Sequence, residues 1–218
     1  MSLALKRSDF IMPQSLAGDS PGVLADIYRS DTNLVRWQRP LAIDLDDDIH
    51  FLLSRPALTA RQVVAADHPA NDLAAMLQLA TDSALIADIR QLIEMYADLF
   101  MLQQVGVRFE KIDKTMCPRF HTDRLACRLV TTYHGNGTQW LDEANADRSK
   151  LGAGAAGLPD NQSGIYHDEN QICSAMAGDV LLLKGEGWQD SPVAGIIHRS
   201  PPADSGQPRL LLTLDFAD

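Results

Sequence analysis

The chain has 218 residues, 45% of them hydrophobic and 22% charged, with a formal net charge of −10. That length buries a substantial core without covalent staples, and the acidity argues against nucleic-acid binding, which needs clustered Lys and Arg. No apolar run approaches the roughly 20 residues that cross a bilayer, and no sustained apolar segment follows Lys6-Arg7 as in a signal peptide.

Cys117, Cys127 and Cys173 are odd in number, widely spaced and free of any Cys-x-x-Cys pair, which speaks against a disulfide framework. These features predict a cytoplasmic protein with neither a membrane nor a nucleic-acid partner.

Residues 1 to about 40 read as an irregular lead-in punctuated by Pro13, Gly18, Pro21, Gly22 and Pro40, with one short strand near 34–39. From Leu41 to about Gln104 there is no glycine and the composition favours helix. A short helix is expected over 44–54. Its acidic start, Asp44 to Asp48, suits the positive end of a helix dipole and lacks the alternating spacing of a calcium loop. A second helix is expected from Thr59, a third over 72–79, and the firmest from Thr81 or Ser83. There Leu85, Ile89, Leu92, Tyr96 and Leu99 recur at three- and four-residue steps, the stripe of a helix packed on a sheet.

After Gln104 the period changes. Strands are expected over 105–112, 126–133 and, past the Gly135-Asn136-Gly137 turn, 138–141. Residues 142 to about 170 are polar and read as a surface insertion or lid. Further strands are expected over 172–176, 180–184, 194–198 and 209–216. The fold class predicted is α+β: a helical N-terminal region (1–104) packed on a β-rich C-terminal domain (105–218), a sandwich or barrel.

Within that domain His121 and Asp123 are two residues apart, so a strand end can aim both to one side. One imidazole and one carboxylate suit a borderline divalent metal. A second histidine, His198, would complete a face with three open positions. Arg209 opens the next apolar run, where a guanidinium can grip a carboxylate bidentately. Each residue alone also has a structural reading: a turn cap for His121 and Asp123, a strand end for His198, an edge salt bridge for Arg209. A second metal set, Cys117, His121, Asp123 and Cys127, would suit zinc.

Several pieces carry a resemblance. They are Phe-His-Thr-Asp-Arg (120–124), Leu-Val-Thr-Thr-Tyr-His-Gly-Asn-Gly-Thr (129–138), Ala-Gly-Asp-Val-Leu-Leu-Leu-Lys-Gly (177–185), Ile-His-Arg-Ser-Pro-Pro (197–202) and Pro-Arg-Leu-Leu-Leu-Thr-Leu-Asp-Phe (208–216). In order and spacing they resemble the Fe(II)/2-oxoglutarate-dependent oxygenases, particularly the prolyl-hydroxylase-like branch. The whole chain also looks like a bacterial family known only as a domain of unknown function.

The oxygenase resemblance implies a double-stranded β-helix of the jelly-roll or cupin-like kind. It implies Fe(II) on His121, Asp123 and His198, and Arg209 on the distal carboxylate of 2-oxoglutarate, with Tyr133 adding a hydroxyl there. Arg128 and Arg199 compete as anion ligands. The implied activity is a hydroxylase-type dioxygenase acting on a small molecule or a protein side chain. The alternative is a non-catalytic metal- or ligand-binding protein, zinc-binding and concerned with metal homeostasis.

Overall fold

The computed structural model describes residues 11–114, 117–202 and 207–217. Seven strands form one sheet in the order β1-β2-β8-β5-β10-β4-β3. They are β1 (Gln14–Gly18), β2 (Thr32–Trp37), β3 (Thr59–Ala65), β4 (Gln104–Ile112), β5 (Cys127–His134), β8 (Val180–Lys184) and β10 (Arg209–Phe216). A smaller sheet, β7-β6-β9, comprises β6 (Gln139–Leu141), β7 (Cys173–Ser174) and β9 (Ile197–Arg199). An isolated antiparallel bridge between His121 and His198 adds a fourth chain segment beside β9. The two sheets face one another as in a jelly roll but do not close into a barrel.

Both faces of the large sheet are buried, by different partners. One face carries Val105, Val107, Phe109, Leu129, Tyr133, Val180, Leu182, Leu210, Leu212 and Leu214. It shares a core with α1 (Asp46–Ser54), α2 (Ala70–Leu77) and α3 (Ala84–Phe100). The other face carries Leu34, Val130, Leu181 and Leu183, which pack on Trp140 of the small sheet and on Ala175 just past β7. Helix α3 supplies the largest share of the helical layer. Ser83 caps it through its hydroxyl, which accepts from the Ile86 amide. Leu85, Ile86, Ile89, Leu92 and Ile93 are fully buried, so truncating any one to Ala would cost about 2–5 kcal/mol.

The N-terminal region is therefore not simply helical: it gives β1, β2 and β3 to the large sheet, and the sheet runs straight across residue 104. The helix expected from Thr59 is strand β3, paired residue by residue with β4 from Thr59↔Glu110 to Ala65↔Gln104. Thr59, Val63 and Val64 are β-branched, and the open edge of β4 offered hydrogen-bond partners that outweigh the helical leaning of Ala and Gln. The lead-in is likewise ordered where described. Strand β1 lies parallel to β2, and a 3-10 helix, Pro21–Tyr28, joins them.

The stretch expected as a lid is a string of short 3-10 turns plus one turn of α-helix, α4 (Asp160–Ser163). Its Ile165, with Leu151 and Tyr166, packs on Phe120, Leu141 and Ile197. Leu141 and Ile197 pair across β6 and β9, next to the inward-facing pair Trp140↔His198. The insertion thus covers the outside of the small sheet rather than closing over its interior.

Candidate metal centre

The bridge between His121 and His198 is a full antiparallel pair. The His121 amide donates to the His198 carbonyl at 3.0 Å, and the His198 amide returns a bond at 2.9 Å. That exchange sets the two imidazoles side by side, ring centroids 4.6 Å apart. Each ring is oriented through Nδ1: His121 contacts the Arg119 carbonyl at 2.9 Å, His198 the Ile196 carbonyl at 3.2 Å. A carbonyl only accepts, so each Nδ1 carries the proton and each Nε2 presents its lone pair.

Both Nε2 atoms face Asp123. His121 Nε2 lies 3.7 Å from Oδ1, and His198 Nε2 lies 3.5 Å from Oδ2. The three ligand atoms fall within 4.8 Å of one another. Neighbouring ligands on one ion at 2.0–2.2 Å stand about 3 Å apart, so small rotations would close the set. Burial pushes the His198 imidazole down to about 4, with Asp123 opposing and His121 adding to the shift. The ring is neutral at physiological pH, as a metal ligand must be.

Asp123 is held from behind. Arg128 Nη1 donates to its Oδ2 at 2.8 Å, while Arg128 Nε and Nη2 hold Asp215 at 2.7 and 2.9 Å. Burial works against the Arg128 charge, but Asp215 and Asp123 together raise its pKa. The loop around Asp123 also docks on Gly185, where an added Cβ would sit 2.1 Å from the Leu125 carbonyl oxygen. Only glycine permits that approach. From outside, Asp160 Oδ2 accepts from the Phe120 amide at 3.1 Å and from Arg199 Nη1 at 2.8 Å. It ties together the residue before His121 and the residue after His198.

Arg209 is the other unusual group. It is 5% exposed. Nη2 approaches the Thr132 hydroxyl at 3.4 Å, and Nε has no partner. No carboxylate pairs with it among the described residues, and burial alone lowers its pKa to about 10. Leu210 faces the helices, so by alternation Arg209 faces the space between the sheets. The competing arginines are occupied, Arg128 by Asp215 and Arg199 by Asp160.

The structure does not bring Tyr133 to this place. Leu129 and Tyr133 face the helices, and the inward set on β5 is Arg128, Val130 and Thr132. The Tyr133 hydroxyl donates to Asp88 Oδ2 at 2.5 Å, and Asp88 also holds Arg39. The four-ligand zinc set is not assembled either. Cys127 is buried on the helical face, and Cys117 stands outside the cluster of ligand atoms. Sequence reasoning missed Asp215 and Asp160 and held Arg128 only as a competing anion ligand, where the structure pairs it with Asp215 and Asp123. The one available signal was the position of Arg128 in the next predicted strand, five residues from Asp123.

A cavity of about 80 Å³ opens beside the two histidines, lined also by Arg108, Arg128, Thr138 and Thr213. A larger groove of about 960 Å³ runs past Glu94, Asp98 and Met101 at the far end of α3 and holds none of these groups. Among the described residues no helix is long and apolar enough to cross a membrane.

Comparison with solved structures places the fold. The chain resembles dioxygenase for auxin oxidation 1 of Arabidopsis thaliana, solved with 2-oxoglutarate (TM-score 0.55, 11% identity, covering 95% of this chain and 93% of that one). It also resembles the rice dioxygenase for auxin oxidation (TM-score 0.51, 14% identity, 94% and 82%). A Pseudomonas putida prolyl-4-hydroxylase matches at TM-score 0.46 and 14% identity over 89% and 97%. The first two show a jelly-roll fold shared with 2-oxoglutarate dioxygenases. No curated protein matches the sequence. The family described as "Protein of unknown function (DUF1826)" matches residues 18–215, and the chain belongs to it.

Proposed function

We propose that this DUF1826 protein is an Fe(II)- and 2-oxoglutarate-dependent oxygenase of the hydroxylase type. The residues present fit both groups. His121, Asp123 and His198 offer two imidazoles and one carboxylate, a donor set suited to iron with positions left open. The observation that favours an oxygenase over plain metal binding is Arg209. A buried guanidinium without a carboxylate is costly, and the distal carboxylate of a ketoacid would supply what it lacks. The fold is shared with a dioxygenase solved with 2-oxoglutarate.

When bound, the metal and ketoacid would together activate oxygen for insertion into a substrate C–H bond. The chain's own residues do the rest. Arg128 keeps Asp123 aimed between the histidines, the outer-shell role that commonly sets metal affinity. The carbonyls of Arg119 and Ile196 fix both imidazole tautomers. Val130, Leu183 and Leu211 on the inward face of the large sheet keep water from the interior. The substrate would be a small molecule or a protein side chain.

Anaerobic titration of Fe(II) and then 2-oxoglutarate tests this reading. The expected result is metal binding in the wild type and in Arg209→Met, ketoacid binding in the wild type only, and succinate on admitting oxygen. Metal-loaded wild type that binds no ketoacid would overturn it and leave a metal-binding protein.

A further inference from the structure

The cavity beside His121 and His198 carries one charge that the metal reading does not use. Its charged lining is Arg108, Glu110, Arg128 and Arg199, besides the two histidines. Three of these four are neutralised. Glu110 Oε1 accepts from Arg61 at 3.0 Å, Arg128 holds Asp215 through two bonds, and Arg199 Nη1 donates to Asp160 at 2.8 Å. Arg108 is the least tightly held: among the described residues its one ion pair is with Asp215 Oδ2, 3.9 Å from Nη2 and beyond hydrogen-bond reach. That carboxylate is already committed to Arg128.

Loading the site as proposed above leaves the imbalance in place. Asp123 and the proximal carboxylate of the ketoacid would offset a divalent metal, and Arg209 would offset the distal carboxylate. Among the described residues Arg108 and Arg128 are then left to share the single carboxylate of Asp215, with Arg108 the more distant of the two. A general basic surface does not explain it, because the whole chain carries a net charge of −10. The Arg108 side chain is 30% exposed and stands on β4, a strand paired along both edges. A rigid strand thus carries a partly desolvated guanidinium fork, the group that grips a planar carboxylate through two parallel bonds.

We propose that Arg108 selects the substrate class: a small organic acid with one carboxylate, a few bonds from the carbon that faces the metal site. This inference rests on the oxygenase reading. A monoacid matches the single spare charge. A neutral substrate would leave the guanidinium with only its long pair to Asp215, and a second carboxylate would meet Glu110, two residues along the same face of β4.

Binding, not turnover, provides the test. Protein loaded anaerobically with Fe(II) and 2-oxoglutarate is titrated calorimetrically with hexanoate, cyclohexanecarboxylate and phenylacetate, each against its own amide. The expected result is that at least one acid binds about tenfold or more tightly than its amide. Arg108→Gln should erase that preference while metal and 2-oxoglutarate affinities stay within about twofold, and Arg108→Lys should restore part of it. Three outcomes overturn the proposal: no acid outbinds its amide, the preference survives in Arg108→Gln, or that variant instead weakens 2-oxoglutarate. If the wild type binds no ketoacid, the titration is repeated on metal-loaded protein. An Arg108-dependent acid preference there would sustain the anion seat while the oxygenase reading falls.

Discussion

Strand β5 separates two buried polar clusters that teach opposite lessons. On its helical face Arg39 holds Asp88 through two bonds and the Gly178 carbonyl through Nε, and Tyr133 donates its hydroxyl to the same Asp88. Every strong donor there has an acceptor. Burial works against the Arg39 charge, but Asp88 and Tyr133 together raise its pKa. On the inward face lies Arg209, more deeply buried and with Nε unpartnered among the described residues, its pKa pulled down to about 10. The saturated cluster contributes to the fold. The unsaturated one subtracts from it, as a group kept for a ligand does.

Substitutions should break the two clusters differently. Asp88→Ala leaves Arg39 and Tyr133 buried without their acceptor, and chemical denaturation should show a loss of about 3–5 kcal/mol. Metal affinity measured on the same protein should not change. His198 comes next in size. In the unfolded chain its imidazole takes a proton near 6.5, whereas the folded, buried ring resists until about 4. Stability of the metal-free protein should therefore be whole above about pH 6.5. It should drain as pH falls toward 4, by about 3 kcal/mol. A His198→Gln protein lacking that slope would assign it to this ring. Arg209→Met should reverse the usual sign. Removing an uncompensated buried charge should leave stability unchanged or raise it by about 1–2 kcal/mol, while 2-oxoglutarate binding disappears. A loss of stability instead would mean that Arg209 supports the fold.

The same division explains what the sequence could disclose. His121, Asp123, His198 and Arg209 stood out because few jobs need those residue types at strand ends. Which way a β5 residue points did not. Alternation distinguishes core from solvent when one sheet face is wet, but here helices cover one face and the small sheet the other. In β8 all of Val180–Lys184 is buried. Period two then says only that Tyr133 and Arg128 lie on opposite faces, not which face is the interior. Asp160 and Asp215 act over separations of 39 and 87 residues, on Arg199 and Arg128. No local pattern encodes such contacts. Strand β3 misled for a related reason, since its pairing partner decides its conformation more than Ala60 and Gln62 do.

The smallest substitution gives the sharpest division between the faces. Tyr133→Phe removes one hydroxyl from Asp88, which keeps both bonds to Arg39, so no charge is stranded and the ring still packs 5.7 Å from Phe109. The cost should be about 1 kcal/mol, the net worth of one hydrogen bond, read as a small shift of the denaturation midpoint at constant slope. Metal and ketoacid affinities should match the wild type, because the hydroxyl lies across the sheet from Arg209. A tenfold loss of 2-oxoglutarate affinity would return Tyr133 to the site. The division drawn between the two clusters would fail with it.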